Sequence, residues 1–546
     1  MKVLGVYNGK VASVTYFDGK KIVFSASEER FNRIKNSRGY PNQTIDYLLK
    51  NYNINPDEID VVTCGAWNYP DYDILKDYFD KSNNSGAPWN RHYYSLKTDH
   101  EFKVDFIKNS VKRFKKAEIK IYDHHKSHFF SAKIPSGYAS GYGIVSDGRG
   151  DGQSLSIWKF NTKKIKKIVG FSELRSYGAF YGSITTLLGF KADKHEGKIT
   201  GLAAYGKKTN LVNKFKKYIN FHNGKIKTSK NFLPFVKPLN IEYLKEITKK
   251  YSREDIAFAA QFILEKNIID IIKYYIPKNV NLVAAGGVFA NVKLNQKIRE
   301  RCNLSNFFVF PEMSDGGISF GAVCSYLFEN KIKVSKIDNM FLGAESKLNI
   351  KHKKSLKIKN LNLQKNFNSL LEEIKYGKII GIFNGKSEFG PRALGNRSII
   401  FSPADKKIND MVNKRLGRNE FMPFAPVTTI DSAKKIFYDF DENDKNLNYM
   451  TTCYKCKDIM IKKCPAVVHV DLTARPQVIS KKIKNSIYFK IVNNFNNKFK
   501  IPCLVNTSFN THEEPIVNTV EEAIKILRKK VIDYLIIDNL LLTIKK

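Results

Sequence analysis

Runs rich in β-branched and aromatic residues open the chain: Lys2–Tyr7, Val11–Phe17 and Lys21–Ala26 each read as a short strand. Asp18-Gly19, between the second and third runs, is a hairpin signal. Further strands are predicted at Ile59–Cys64, Ile119–Tyr122, Gly143–Ser146, Leu155–Phe160, Leu282–Ala285 and Phe307–Phe310. Helical spacing of apolar residues appears at Thr44–Asn51, Ile256–Tyr275 and Val292–Arg299. Strands alternating with helices argue for an α/β chain, and no internal repeat is visible.

A three-stranded meander at the head of a mixed chain is compatible with the ribonuclease H-like fold of actin, sugar kinases and Hsp70. From Ser346 to Leu361 the chain is lysine-rich and poor in bulky aromatics, which reads as a linker. A new α/β pattern follows, with a helix at Leu370–Tyr376 and a strand at Ile379–Phe383. The expected organisation is therefore a domain over 1–345, a linker over 346–361 and a smaller α/β domain over 362–546. A length of 546 residues allows two to four domains at roughly 100–200 residues each.

Composition narrows the classes. Hydrophobic residues at 42%, spread along the chain, exclude a disordered protein. No apolar run reaches the ~20 residues that cross a bilayer; the stretch Val531–Ile544 is cut by Asp533 and Asp538. The amino terminus has strand character and no signal-peptide core, so a cytoplasmic location is the default, with no membrane partner. Seven scattered cysteines do not make a disulfide framework. Cys453-x2-Cys456, Cys464 and His469 have spacing that zinc can use, but the second CxxC arm is missing. The net charge of +40 sets up a potential that attracts polyanions. A coding bias toward Lys, Asn and Ile accounts for part of it, yet such a bias would also raise Glu. The lysine-dense stretch Lys207–Lys250 has a plain reading as a solvated face.

Several motifs carry candidate chemistry. His124 and His128, four apart, share one face if helical, and with a carboxylate they make a set that suits iron(II) or another first-row metal. Asp315, followed by Gly316 and Gly317, is the best distant third ligand. Asp147-Gly148-Arg149-Gly150-Asp151-Gly152 follows a strand; it either presents backbone N–H groups to phosphate, with aspartate able to hold a metal's water, or is a hairpin with acidic turn residues. Gly286-Gly287, then Asn291, sit between a strand and a helix and can admit a nucleotide. In the second half, Glu388-Phe389-Gly390-Pro391-Arg392-Ala393-Leu394-Gly395-Asn396-Arg397-Ser398, then Thr473-Ala474-Arg475-Pro476-Gln477, then Asn506-Thr507-Ser508-Phe509-Asn510 combine guanidinium forks with amides. Guanidinium binds phosphate oxygens in pairs, and the Ser/Asn cluster suits a carbamoyl amide.

Together these blocks resemble the O-carbamoyltransferase family that includes nodulation-factor, cephamycin and tobramycin carbamoyltransferases. The resemblance spans nearly the whole chain in the same order; GPRALGNRS, HVD-x-TARPQ and NTSFN are its most specific parts. It implies an amino-terminal domain like the tRNA threonylcarbamoyladenosine-forming enzyme and a carboxy-terminal domain like its carbamoyladenylate-making partner. By resemblance, His124, His128 and Asp315 are the ligands of a divalent metal, Fe2+. Asp147, Gly148, Gly286, Gly287, Asn291 and Gly316 fall to the nucleotide, supplied as ATP with Mg2+. Arg392, Arg397, Arg475, Asn506, Ser508 and Asn510 fall to carbamoyl phosphate, and Lys35 to the active-site surroundings. Lys35, Arg392 and Arg475 are the residues assigned catalytic roles. His469 matches a family histidine that has no neighbouring cysteines.

Three positions depart from the family pattern. Asn8-Gly9-Lys10 stands where the family carries His-Asp, with Gly9 at the histidine. FRPFAP reads Phe421-Met422-Pro423-Phe424-Ala425-Pro426, and the GEP after NTSFN reads Glu513-Glu514-Pro515. The implied reaction makes carbamoyladenylate from carbamoyl phosphate and ATP, then carbamoylates an acceptor hydroxyl. The charge favours a DNA acceptor bearing hydroxymethylated bases; a sugar hydroxyl of an antibiotic or polysaccharide is the rival. Other classes are a tRNA-modifying enzyme, a sugar kinase and a non-enzymatic nucleic-acid-binding protein.

Overall fold

The structure, a computed structural model, describes residues 1–67, 87–233, 237–349, 356–417, 422–480 and 486–545. The chain divides into two compact units, one of Met1–Glu28 with Asn36–Asp338 and one of Glu29–Lys35 with Asn339–Lys546. This differs from the division expected from the sequence. The short segment Glu29–Lys35 is taken into the second unit, which begins at Asn339 rather than beyond a linker. Part of the expected linker is ordered strand: Leu356–Asn360 pairs antiparallel with Leu540–Ile544. Lysine richness misled here, because an edge strand with one solvated face carries lysine at its exposed positions.

The first unit holds two five-stranded sheets. The first joins β1 (Val3–Tyr7), β2 (Ser13–Phe17), β3 (Ile22–Ser27), β4 (Val61–Cys64) and β5 (Glu118–Ile121) in the order β3-β2-β1-β4-β5. The second joins β6 (Gly141–Gly150), β7 (Gln153–Phe160), β8 (Ile165–Ser172), β11 (Asn281–Ala285) and β12 (Asn306–Val309) in the order β12-β11-β6-β7-β8. Between β8 and β11 in sequence, β9 (Ile219–His222) and β10 (Lys225–Thr228) form a separate hairpin. In each five-stranded sheet an antiparallel meander of three strands continues through parallel partners of its first strand. The same topology twice is a duplicated ribonuclease H-like arrangement. The sequence shows no repeat because the two copies share strand order and not side chains.

The predicted strands of this unit are all present, with ends shifted by a few residues. The helices lengthen slightly: Asn42–Asn51, Arg253–Tyr275 and Val292–Arg301. A large apolar cluster runs beneath the second sheet, built from Ile144, Ile157, Phe180, Ile263, Leu282 and their neighbours.

The second unit is built on one eight-stranded sheet. Its strands are β13 (Leu356–Asn360), β14 (Ile380–Phe383), β15 (Arg397–Phe401), β16 (Ala425–Thr429), β19 (Gln477–Ile479), β20 (Leu504–Ser508), β21 (Tyr534–Ile537) and β22 (Leu540–Ile544). Their order is β13-β22-β21-β14-β15-β20-β16-β19, and the short β17 (Tyr454–Lys455) and β18 (Thr473–Ala474) pair beside it. Ile399 and Phe401 enter one apolar cluster while their alternate Ile400 enters the other, so the sheet buries both faces. The segment Glu29–Lys35 fastens onto this unit through arginines: Arg30 Nη2 donates to Gly390 O (2.9 Å), and Arg33 donates to Ile516 O (2.8 Å) and Pro515 O (2.7 Å).

Candidate active site

His124–Ser136 is a helix, as the His-x3-His spacing requires. Asp123 caps it by accepting from Lys126 N (2.7 Å), and Asp151 accepts from His124 N (2.9 Å). Both histidines are buried, with ring centroids 4.8 Å apart. Asp147, at the end of β6, sets Oδ2 at 3.2 Å from His124 Nε2 and 3.4 Å from His128 Nε2. Asp315 Oδ1 lies 3.8 Å and 3.5 Å from the same two nitrogens. All four ligand atoms fall within 4.8 Å of one another, and they are the one such group among the described residues. His124, His128 and Asp315 are thus brought together as expected, and Asp147 joins them as a fourth donor. Sequence reading placed Asp147 among the nucleotide residues and did not group it with the histidines, since nothing in DGRGDG says which way its carboxylate turns.

Electrostatics bind the cluster. Burial alone would lower the His124 pKa, but the carboxylates of Asp147 and Asp315 outweigh it and raise the value to about 9. His128 is also raised against burial by the same two carboxylates. Burial would raise Asp147, yet the two imidazoles hold it well below the usual carboxylate range. Burial pushes Asp151 up to about 7, against the lowering pull of His124. His128 Nδ1 is buried with no hydrogen-bond partner among the described residues. Two imidazoles and two carboxylates in a buried pocket fit a divalent first-row metal. Tyr7, which sequence reading passed over, donates its hydroxyl to Asp315 Oδ2 (2.9 Å). Its ring also accounts for Gly9: a Cβ there would sit 2.3 Å from the Tyr7 hydroxyl oxygen and 2.9 Å from the Trp67 ring.

The two glycine motifs meet beside this cluster. Gly286 has φ +98°, and a Cβ there would lie 2.2 Å from Ser146 O, so only glycine fits. Gly287 comes within 3.3 Å of Asp147 Oδ1 by the same measure. Gly148 N donates to Asp147 Oδ1 (2.7 Å), and DGRGDG lies at the closed end of the β6–β7 hairpin. Asn291 is spent on structure: it caps the helix Val292–Arg301 through Leu294 N (3.0 Å) and exchanges hydrogen bonds with Gln261. Tyr181 extends that network, donating to Gln261 Oε1 (2.8 Å). Gly316 packs against Val11 and Glu312.

In the second unit Asn506 ties the three motifs together. Its Nδ2 donates to Ala393 O (3.0 Å) and Gln477 Oε1 (2.8 Å), while Gln477 Nε2 donates to Leu394 O (2.7 Å). The loop bearing Arg392 and the strand start bearing Arg475 therefore adjoin β20, where Ser508 stands opposite Ser398. Glu388, also unremarked in the sequence, organises the loop: its Oε1 accepts from the backbone N–H of Leu394 (2.8 Å), Asn396 (2.9 Å) and Arg397 (3.1 Å).

The arginines differ in what they can do. Arg397 is 0% exposed, stacks 3.6 Å over the Phe383 ring and donates to the carbonyls of Asn384 (2.6 Å), Asn396 (2.9 Å) and Gly385 (3.0 Å). Its guanidinium is occupied by the fold. Arg475 is half-buried and has no hydrogen bond or ion pair among the described residues, and burial lowers its pKa. Arg392 is half-buried on its loop. Asn510 donates to Glu514 O (2.6 Å), closing the turn after β20. Lys35 pairs with Glu29 at 3.3 Å. Among the described residues the cysteines do not assemble with His469 into a metal group; Cys453, Cys456 and Cys464 are buried in the fold of the second unit, and His469 faces Asp471 at 3.5 Å. Phe421 lies outside the described residues.

No helix among the described residues is long and apolar enough to cross a membrane. Residues 2–324 match the carbamoyltransferase N-terminus family and residues 371–544 the carbamoyltransferase C-terminus family. Protein MJ1051 of Methanocaldococcus jannaschii is 34% identical over 99% of each chain. Nodulation protein NolNO of Sinorhizobium fredii is 27% identical over 97% of this chain and 78% of its own. Among solved structures, HypF of T. kodakarensis is distantly similar, with 12% identity over 61% of this chain and 48% of that one and a TM-score of 0.34. Matched in both halves and along almost its whole length, this chain belongs to the carbamoyltransferase family and is a transferase enzyme.

Proposed function

We propose that this enzyme is an ATP-dependent O-carbamoyltransferase whose second unit makes carbamoyladenylate and whose first unit passes the carbamoyl group to a hydroxyl of nucleic acid. The observation that carries the reading is the partly buried His124–His128–Asp147–Asp315 cluster, set against two glycine loops in a chain of this family.

In the second unit Arg475, with no anion of its own, is suited to a phosphate oxygen, and Arg392 on the neighbouring loop is suited to a second. Asn506 Oδ1, buried and without a hydrogen-bond partner among the described residues, is an acceptor for a carbamoyl N–H. Water cleaves the donor to carbamate and phosphate there. The carbamate oxygen attacks the α-phosphorus of ATP, carried with Mg2+, and pyrophosphate leaves. In the first unit Gly286, Gly287 and Gly148 let backbone N–H groups approach the nucleotide phosphate. The acceptor oxygen then attacks the carbamoyl carbon and AMP leaves. A divalent cation, of which Fe2+ is the first to test, held by His124, His128, Asp147 and Asp315, would supply Lewis-acid polarisation of the carbonyl. Arg397 and Asn291 take positioning roles in this scheme, because their polar atoms are already engaged.

The nucleic-acid acceptor rests on the net charge of +40. The test is incubation with ATP and carbamoyl phosphate, followed by mass analysis of AMP, pyrophosphate and carbamoylated acceptor, with hydroxymethylated DNA and neutral sugars in parallel. Arg392→Ala is expected to abolish pyrophosphate release. His128→Ala is expected to keep it and lose transfer. Equal loss of both half-reactions in both variants refutes this division of labour.

A further inference from the structure

The charge is not spread evenly. Between Lys207 and Lys250 the sequence carries 12 lysines against two glutamates, a net +10 in 44 residues, where the whole chain carries +40 in 546. That density is roughly three times the chain average, so a bias acting along the whole chain does not produce it. Register then decides where the charge goes. In the β9–β10 hairpin His222 stands opposite Lys225 and Asn220 opposite Lys227, so all four share one face. Ile219, Phe221 and Ile226 turn to the other face and are buried. Lys225 and Lys227 are exposed, and among the described residues neither forms an ion pair.

That hairpin packs on the carboxyl-terminal end of the helix Arg253–Tyr275. Asn267 Oδ1 accepts from Phe221 N (2.5 Å), and Tyr275 donates its hydroxyl to Gly224 O (2.7 Å). Between them lies an open groove of about 410 Å³, lined in part by Asn220, His222, Lys273 and Tyr274. Tyr274 is 59% exposed and held edge-on by Phe221, with centroids 5.6 Å apart. Asn220 Oδ1 is buried with no hydrogen-bond partner among the described residues. The acid in the groove, Asp270, is neutralised by Lys266 at 2.5 Å, so Lys273 leaves the groove positive. Lysines for phosphates, a held aromatic face for a base and an unspent amide for a base edge converge in one place.

We infer that this groove and the outer face of the β9–β10 hairpin are a docking surface for a single strand of nucleic acid, gripping it away from the reacting hydroxyl. The inference rests on the nucleic-acid acceptor reading above. The groove is an anchor and not the reaction site, since the same helix spends Gln261, roughly 20 Å earlier along its axis, on Asn291 beside the glycine loop.

The test measures binding of the full chain to a fluorescent single-stranded DNA across salt, with pyrophosphate release from ATP and carbamoyl phosphate recorded on the same preparations. Wild type is expected to bind with a steep salt dependence. Lys225→Gln with Lys227→Gln should flatten the log–log slope by about 1.4, at ~0.7 per phosphate contact. Tyr274→Ala should weaken binding about tenfold at constant slope. Pyrophosphate release should stay at the wild-type level in all variants. Absence of binding by wild type, or variants that bind as wild type does, overturns the inference. So does an acidic polysaccharide that competes as well as DNA and shows the same lysine dependence. Absence of pyrophosphate release in wild type with DNA binding retained would refute the carbamoyl-transfer reading and leave the docking surface standing.

Discussion

Asp147→Asn isolates the donor that only the structure assigns to the metal cluster. The change keeps side-chain volume and removes one charge from a carboxylate whose Oδ2 faces two imidazole nitrogens at 3.2 and 3.4 Å. In the metal-free protein the rise of His124 from 6.5 to about 9 corresponds to ~3 kcal/mol of extra stabilisation of its charged form. Burial opposes that rise, so the carboxylates supply more than the net. With Asp147 neutral, Asp315 at 3.8 Å and the charge of Asp151 are left to oppose burial. His124 is therefore expected to fall by about two pH units or more. The assay is a histidine-resolved NMR titration of the metal-free protein, paired with calorimetric titration of Fe2+ or Mn2+. Loss of an anionic ligand should weaken metal binding by at least the ~10–100-fold typical of losing a mere supporting partner. A His124 titration that stays near 9, with metal affinity within twofold of wild type, would show that Asp147 is not part of the cluster.

Metal affinity in the wild type should climb with pH up to about 9, tenfold per pH unit for the His124 proton displaced, because the cation needs the neutral imidazole that prevails only above that value; a flat profile from pH 6 to 9 refutes it. Arg397→Ala should lower the stability of the second unit by ~3 kcal/mol or more, read as an earlier denaturant transition, since it strips buried carbonyls of their donor. Tyr7→Phe, which removes only the hydroxyl on Asp315, should weaken metal binding about tenfold while pyrophosphate release stays unchanged. Cys456→Ala should leave the metal content of the purified protein unaltered, as elemental analysis would show, because that thiol lies in the apolar core of the second unit.

Local signals were legible where chemistry and local structure coincide. The opening meander, the parallel strands and the long helices follow from β-branched runs and 3.6-residue spacing, which depend on neighbours in the chain. The histidine pair His124 and His128 could be read because four residues make about one helical turn. The arginine motifs were legible as guanidinium-rich turns, but not which guanidinium the fold engages. Arg397 and Arg475 look alike in sequence; one is walled in by carbonyls and a phenyl ring, the other has no counter-charge among the described residues.

By itself the sequence determined the α/β character, the glycine positions that force tight backbone turns, the presence of paired histidines and arginine-rich motifs and the excess of positive charge. Only tertiary structure decided that Asp147 turns toward the histidines, that Tyr7 fills the space above Gly9, that residues 29–35 join the second unit, and that hairpin register gathers lysines on one face. The physical reason is one of range. Strand and helix preferences act over a few residues, whereas the direction of a carboxylate and the partner of a guanidinium depend on groups hundreds of positions away, brought near only when the apolar cores close.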